Sequence, residues 1–196
     1  MIAMKRLSDE QRTQAREALA RLSGTGGAFA CVVADPPWRF GDSLPGDKRG
    51  ATKHYACLPL WEIQRFPLPP IAADAYLFLW RVAAMPREAL DVASAWGFAP
   101  KTELVWRKQT QTGRRHFGMG RHLRAEHETC IVAVRGRPKP LTRSIRSVFD
   151  APVGVHSAKP DAFYALVEEL APGPRVELFA RRKREGWTCF GNEVET

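Results

Sequence analysis

The sequence has little of what several function classes require. Of its 196 residues only four are cysteine, Cys31, Cys57, Cys130 and Cys189, and no two form a CxxC pair. The thiol spacing of a zinc site or a dithiol redox centre is therefore absent. Cys31, Cys130 and Cys189 sit inside apolar runs and read as small buried side chains. The five histidines show neither HxxxH nor HExxH spacing, so no metal is expected. No apolar run approaches the roughly 18–20 residues that cross a bilayer, and no membrane association is expected. Met1 to Ser23 is charged and lacks the apolar core of a secretion signal, which makes a cytoplasmic protein the expectation. Acids are scarce too: 21 Asp and Glu face 30 Lys and Arg, a net charge of +9.

That surplus is local. Arg107 to Arg146 holds eleven Lys or Arg against two acids, Glu126 and Glu128, so this window alone carries +9 and the rest of the chain sums to zero. Interleaved with Trp106, His116, Phe117 and His122, it fits a polyanion partner better than a merely solvated face. Arg107, Lys108, Arg114, Arg115, Arg121 and Arg124 are the candidate contacts to a nucleic-acid backbone. A basic patch does not separate DNA from RNA, because both are met first through phosphate.

The chain length favours a single domain. Ser8-Asp9-Glu10-Gln11 resembles a capping box, and the spacing of Ala15, Ala18, Leu19 and Leu22 predicts a helix that Gly24, Gly26 and Gly27 end. Residues 1–28 thus form a helix and a glycine-rich lead-in to a catalytic domain over 29–196. Phe29 to Ala34 reads as a buried strand that stops at Asp35, where two prolines forbid further pairing. Residues 39 to 57 have no periodicity and read as a long mobile loop. Further strands are predicted at Ala75–Trp80, Glu103–Trp106, Cys130–Val134, Val176–Ala180 and Trp187–Phe190. Helices are predicted from Pro86 to Trp96, closed by Gly97, and from Pro160 through Leu170. The alternation suits parallel βαβ units, hence an open, doubly wound α/β sheet. Ligands then gather beyond the carboxyl ends of the strands, where Asp35, Trp80-Arg81 and Arg181 fall.

Asp35-Pro36-Pro37-Trp38 carries the chemistry. Asp35 supplies an acceptor, and Pro36 a carbonyl with no amide donor of its own. Two prolines hold both acceptors at low entropic cost, and Trp38 offers a flat face worth roughly 1–3 kcal/mol to a stacked base. The set suits an aromatic primary amine such as the exocyclic amine of adenine. Two acceptors on its N–H groups would turn the nitrogen lone pair toward an incoming methyl group. In-line displacement from a sulfonium then depends mostly on positioning, with Asp35 stabilising charge that develops on the amine. Four residues alone also occur as an accidental proline turn with a packed tryptophan.

From Phe29 to Asn192 the chain resembles the MT-A70 family of adenine-N6 methyltransferases. The resemblance rests on Asp35-Pro36-Pro37-Trp38, Ala75-Tyr76-Leu77-Phe78-Leu79-Trp80, Ala95-Trp96-Gly97-Phe98, Leu104-Val105-Trp106, His127-Glu128, Val134-Arg135-Gly136, His156-Ser157-Ala158-Lys159-Pro160-Asp161, Glu177-Leu178-Phe179-Ala180-Arg181 and Gly191-Asn192-Glu193. It implies a circularly permuted, Rossmann-like methyltransferase sheet with S-adenosylmethionine as cofactor. By resemblance, the catalytic turn is Asp35, Pro36, Pro37 and Trp38. Trp38, Tyr55, Glu128 and Lys159 face the substrate. Asp35, Lys159, Glu177, Arg181, Asn192 and Glu193 face the cofactor. Residues 39–55 and about 149–158 resemble two loops that gate the site. Two departures stand out: the segment after Arg181 is short, so Arg182 to Glu185 carry no match, and no acid upstream of the first strand replaces a cofactor contact sometimes found there.

Two features support the transfer from the residues themselves. A lysine at a helix N-terminus, such as Lys159, is electrostatically unfavourable and calls for a nearby anion. Glu177 lies inside an apolar strand and needs a partner, whether a cofactor ribose or amine or a neighbouring Arg. The expected reaction is methylation of adenine N6 in nucleic acid, DNA before RNA. RNA remains the near rival, because unpaired bases are the easier target. A non-catalytic nucleic-acid-binding subunit and a protein-amide methyltransferase are alternatives of other kinds. The basic window serves the substrate alone, or a second copy or partner subunit supplies specificity.

Overall fold

Among the residues that the computed structural model describes (13, 17–19, 21, 27–39, 57–118, 122–154, 158–191 and 194), a seven-stranded sheet organises the chain. Its strands are β1 (Phe29–Ala34), β2 (Ile71–Arg81), β3 (Ala99–Gln109), β4 (His127–Arg135), β5 (Val148–Pro152), β6 (Arg175–Leu178) and β7 (Thr188–Phe190). The helices are α1 (Leu60–Gln64), α2 (Pro86–Ala95) and α3 (Asp161–Leu170). The sheet order is β5-β3-β4-β2-β1-β6-β7. The first strand lies between β2 and β6, so the last part of the chain returns beside the first.

Strand periodicity builds two cores. Val32, Ala34, Leu77, Leu79, Ile131, Ala133, Val176 and Leu178 face one side, with Ile63 of α1, Ala89, Val92 and Ala93 of α2, and Leu19. The alternate residues Cys31, Val33, Tyr76, Phe78, Trp80, Cys130 and Val132 face the other, against Phe163, Tyr164 and Val167 of α3. Each fully buried large side chain, such as Phe78 or Trp80, contributes about 1.5–3 kcal/mol of apolar burial. Helices on both faces of a mostly parallel sheet give the doubly wound, Rossmann-like architecture. The helix boundaries follow from sequence chemistry. Pro86 opens α2 at its first helical positions, and Gly97, at φ 79, closes it. Gly97 N–H donates to Ser94 O and Phe98 N–H to Ala93 O, a Schellman pairing that a left-handed glycine permits.

The structure departs from expectation at several elements. β4 runs antiparallel to both β2 and β3, and no helix lies among the described residues between β3 and β4. The described part of the basic segment forms an arm with bridges Gln109–Arg115 and Gly118–Ala125. The expected gate at about 149–158 begins as β5, an edge strand parallel to β3 in which Ala151 is buried. β2, β3 and β4 are longer than their apolar centres, since ladder hydrogen bonds carry them into polar sequence. The helix α1 follows Pro59 and has no periodic signal in five residues. Cys189 is only half-buried, unlike Cys31 and Cys130. The expected N-terminal helix is seen at Glu17 to Leu19; its capping box and most of the loop at 39–57 lie outside the described residues.

Candidate active site

The sheet topology selects the place. From β1 the chain passes to β2 on one side, whereas β6 continues to β7 on the other. The crevice at the carboxyl ends of β1 and β6 is therefore the switch point at which open α/β sheets hold ligands. Ala34 pairs in register with Leu178, so Asp35 and Phe179 leave the sheet side by side.

The turn after β1 is tied down on both sides. Trp38 N–H donates to Pro36 O at 2.8 Å, Leu58 N–H to Pro37 O at 2.8 Å, and Arg39 N–H to Leu58 O at 3.2 Å. The Trp38 indole N–H donates to the carbonyl of Trp80, at the end of β2, at 2.9 Å. Trp38 is only 4% exposed and packs in the α2-side core. The Trp38 indole thus anchors the turn to β2, a role the sequence did not suggest. One lone pair of the Pro36 carbonyl is likewise taken by Trp38, leaving the second.

Beside the turn lies a chain of alternating charges. Lys159, just before α3, places Nζ 2.7 Å from Asp35 Oδ2 and 3.2 Å from Glu128 Oε2. Lys108 Nζ sits 2.7 Å from Glu128 Oε1. Strand period explains the convergence. Trp106 pairs with Glu128 across β3 and β4, and Lys108, two residues beyond Trp106, falls on the same face. Lys159 also lies 5.0 Å above the Trp80 ring, and Lys108 5.6 Å above the Trp106 ring, each worth about 0.5–2 kcal/mol. Burial alone would lower the Lys159 pKa, but Asp35 and Glu128 outweigh it and hold the ammonium above its ordinary range. Burial would likewise raise the Glu128 carboxyl, and Lys159 and Lys108 hold it below the usual carboxylate range. The anion that the helix position of Lys159 demanded is thus supplied twice.

The β6 side has its own network. Glu177 is buried at 6% exposure, and its Oε1 accepts the Tyr164 hydroxyl at 2.7 Å. The partner is a tyrosine from α3 rather than the arginine considered from sequence. Burial pushes the Glu177 carboxyl upward, and the Tyr164 hydrogen bond and the Arg184 charge only partly offset it. Burial and the Glu177 charge together push the Tyr164 hydroxyl upward. Arg184 stacks 3.7 Å from the Tyr164 ring and reaches Asp161 Oδ1 at 2.6 Å, with Arg182 on the same oxygen. Phe179 adopts φ 61, a conformation costing a non-glycine residue about 1–3 kcal/mol. It turns the chain sharply so that Ala180 N–H donates to Phe190 O at 2.9 Å. A Cβ on Gly191 would lie 2.0 Å from Ala180 O, so only glycine permits this approach. Arg181 follows at the rim, half-buried.

The donor set fits a charged sulfonium nucleoside. Two carboxylates, Asp35 and Glu177, stand at the ends of neighbouring strands, and Arg181 follows three residues after β6. Of the other expected residues, Tyr55, Arg121, Asn192 and Glu193 lie outside the described residues. The basic candidates divide. Lys108, 18% exposed and turned to Glu128, belongs to the site interior rather than to a phosphate surface. Arg107 donates to Asp150 through Nε, to Oδ1 at 2.5 Å, and through Nη2, to Oδ2 at 2.6 Å. Arg115 lies 3.9 Å from Glu126. Arg114 and Arg124 are exposed and have no ion-pair partner among the described residues. Sequence reasoning missed Tyr164, and it misplaced Lys108, although period-2 counting from Trp106 points Lys108 inward. A cleft of about 640 Å³ bounded by Gln64–Pro70 and Trp96 lies at the opposite, amino-terminal edge of the strands and touches none of these residues.

The MT-A70 family profile matches residues 29–193. The chain is 34% identical over 178 residues to the human N(6)-adenosine-methyltransferase catalytic subunit METTL3, covering 86% of this chain and 29% of that protein. It is 33% identical over 175 residues to the N(6)-adenosine-methyltransferase MT-A70-like protein of Drosophila melanogaster, covering 86% and 27%. It is 29% identical over 187 residues to the Type II methyltransferase M.MunI of Mycoplasma sp, covering 85% and 78%. The chain thus spans less than a third of the length of the N(6)-adenosine-methyltransferases it matches.

Proposed function

The chain belongs to the MT-A70 family, and from that premise we propose that it transfers a methyl group from S-adenosylmethionine to N6 of adenine in DNA. The observation that carries the reading is the anchored Asp35-Pro36-Pro37-Trp38 turn in the β1–β6 crevice, with Asp35 held by Lys159 at 2.7 Å. S-adenosylmethionine supplies an electrophilic methyl group when bound, and Asp35, Lys159, Glu177 and Arg181 are the residues to hold it. The chain's own task is to present the amine. Lys159 occupies one oxygen of Asp35, which leaves the other to accept an amine N–H. The free lone pair of the Pro36 carbonyl accepts the second. Trp38 fixes the distance between these acceptors by locking the turn to β2, so the amine meets a preorganised pair. Glu128, sharing Lys159, keeps the cation in place without consuming Asp35.

DNA is preferred because a type II methyltransferase is matched over 78% of its length. The basic window gives a phosphate-binding surface for either nucleic acid. Methyl transfer from labelled cofactor to matched DNA and RNA oligonucleotides, with N6-methyladenine identified by mass spectrometry, tests the reading. Preferential labelling of DNA is expected. Preference for RNA reassigns the substrate, and a methyl group on a protein side chain overturns the reaction. Asp35→Ala is the control: it lowers turnover by about a hundredfold or more, with the fold retained at a lower melting temperature, because Lys159 loses Asp35 but keeps Glu128.

A further inference from the structure

Trp80, near the carboxyl end of β2, lacks something that other tryptophans of the chain have. Trp38, Trp96 and Trp106 each donate the indole N–H to a backbone carbonyl at 2.9 Å, and Trp187 donates to Glu168 Oε1 at 2.6 Å. Trp80 is 1% exposed, and its indole nitrogen is buried with no hydrogen-bond partner among the described residues. A buried donor without an acceptor destabilises a fold. Phenylalanine would fill much of the same space without that donor, so core packing alone does not call for tryptophan here.

What tryptophan adds is its face, since indole is the aromatic side chain that attracts a cation most strongly. Lys159 Nζ lies 5.0 Å from the centre of the Trp80 ring. An ammonium has three donors and no acceptor. Two of the three have carboxylate partners, Asp35 at 2.7 Å and Glu128 at 3.2 Å. The ring adds an attraction that neither carboxylate supplies. It is also held where it lies. Phe163, in the first turn of α3 and four residues beyond Lys159, packs on it with centroids 4.8 Å apart. Trp106 meets it edge-on at 6.5 Å and 80°. A ring clamped in a close-packed core cannot swing away from the ammonium.

The main chain of the same residue has a second task. Trp80 O accepts the Trp38 indole N–H at 2.9 Å and so locks the turn that carries the Pro36 carbonyl. One residue thus touches the supports of both amine acceptors, Lys159 for Asp35 and Trp38 for Pro36. We infer that Trp80 is a positioning residue, whose ring holds the Lys159 ammonium against Asp35 and through it aims the carboxylate at the amine. The inference rests on the reading of the site as an adenine methyltransferase and gives a task to a side chain buried behind the reacting groups.

A series of fluorinated tryptophans placed at position 80 alone tests it. Each added fluorine drains electron density from the ring face while the size and the N–H stay nearly the same. The single-turnover rate of methyl transfer should fall stepwise, by about threefold to tenfold over the series, the scale of one cation–π contact. Affinity for S-adenosylmethionine should stay within about twofold, because the Glu177 side is untouched. A ring that only fills space would give a flat series, and a flat series overturns the inference. The second readout needs no reaction. The melting temperature should fall by about 2–4 °C over the series in the otherwise native protein and stay level over the same series in Lys159→Met, because the coupling requires both partners. An equal fall in both backgrounds means that fluorine disturbs packing alone, and it too overturns the inference. A protein that methylates no nucleic acid, yet shows the Lys159-dependent melting, keeps Trp80 as the support of Lys159 and defeats the methyltransferase reading instead.

Discussion

The interior of the site and the β3–β4 arm are both rich in cations, and they use them in opposite ways. Inside, Lys159 and Lys108 are mostly covered, each faces a carboxylate, and each lies over a tryptophan ring. Outside, Arg114 and Arg124 stand in water with no ion-pair partner among the described residues. A buried cation without an anion would be driven to neutrality, so the inner pair is a structural element that fixes where Asp35 points. An exposed cation without an anion costs nothing and stays available to phosphate. Cations between 6 and 45 positions apart in sequence thus divide into covered and exposed, which on the proposed reading means positioning and capture. Arg107 falls between, solvent-facing yet committed to Asp150.

The sharpest way to break this contrast is Lys159→Met. The variant leaves Asp35 and Glu128 facing each other without the cation between them. Turnover is expected to fall about a hundredfold or more, because the acceptor on Asp35 loses its fixed direction. Stability should fall by about 2–3 kcal/mol, at the low end for a broken buried pair because both carboxylates remain partly open to water. The pH response distinguishes this from a plain packing defect. In the native protein the depressed pKa of Glu128 contributes stability that is present above the ordinary carboxylate value, about 4.3, and is lost as pH falls through the folded value. Without Lys159 much of that contribution disappears, so the variant loses less stability than the native protein over the same acid range. Parallel acid-melting curves for the two proteins would show that Lys159 does not hold Glu128.

The cofactor side allows a milder test of positioning. Tyr164→Phe removes the hydroxyl that binds Glu177 Oε1 at 2.7 Å and keeps the ring beneath Arg184. The KM for S-adenosylmethionine should rise about tenfold, the scale of one hydrogen bond to a charged group. The kcat should stay within about twofold, because the methyl-accepting side is untouched. The hydroxyl lowers the Glu177 pKa against the upward push of burial. Its loss raises that pKa further, so the acid limb of cofactor binding moves to higher pH in the variant. An unmoved limb, with only a lower melting temperature, would reduce Tyr164 to core packing.

These residues also mark what was legible in advance. Asp35, Lys159 and Glu177 stood out because each broke a local rule: an acid at a strand stop, a cation at a helix start, a carboxylate in an apolar strand. Such violations can be seen in one dimension. The short apolar, β-branched run from Phe29 to Ala34 announced a buried strand equally directly. Tyr164 broke no rule, since an aromatic beside Phe163 on a buried helix face reads as core, and only the fold brings it to Glu177. The direction of β4 was hidden because strand sequence carries no sign of orientation. No helix lies among the described residues between Gln109 and His127, and the two strands pair antiparallel. Trp38 was read as a platform because the sequence shows a flat ring but not the Trp80 carbonyl that holds it.

The smallest expected effect concerns the outer cations, and it divides them most finely. A phosphate contact releases counterions, so its loss flattens the dependence of affinity on salt by about 0.9 in log–log slope. Replacing both Arg114 and Arg124 by alanine should therefore reduce the slope by about 1.8, with weakening spread evenly over DNA sequences. Arg107→Ala should change it by less than about 0.5, because its guanidinium already faces Asp150 through two hydrogen bonds. Exposed pairs are weak, about 0–1 kcal/mol, so phosphate is a real competitor for Arg107. The measurement thus decides whether capture stops at the arm or reaches the sheet edge. A full unit lost with Arg107→Ala would mean that the Asp150 pair opens on the complex and that the capturing surface begins at β5. A negligible change would confine it to the arm, leaving everything inward of Lys108 to the positioning of Asp35.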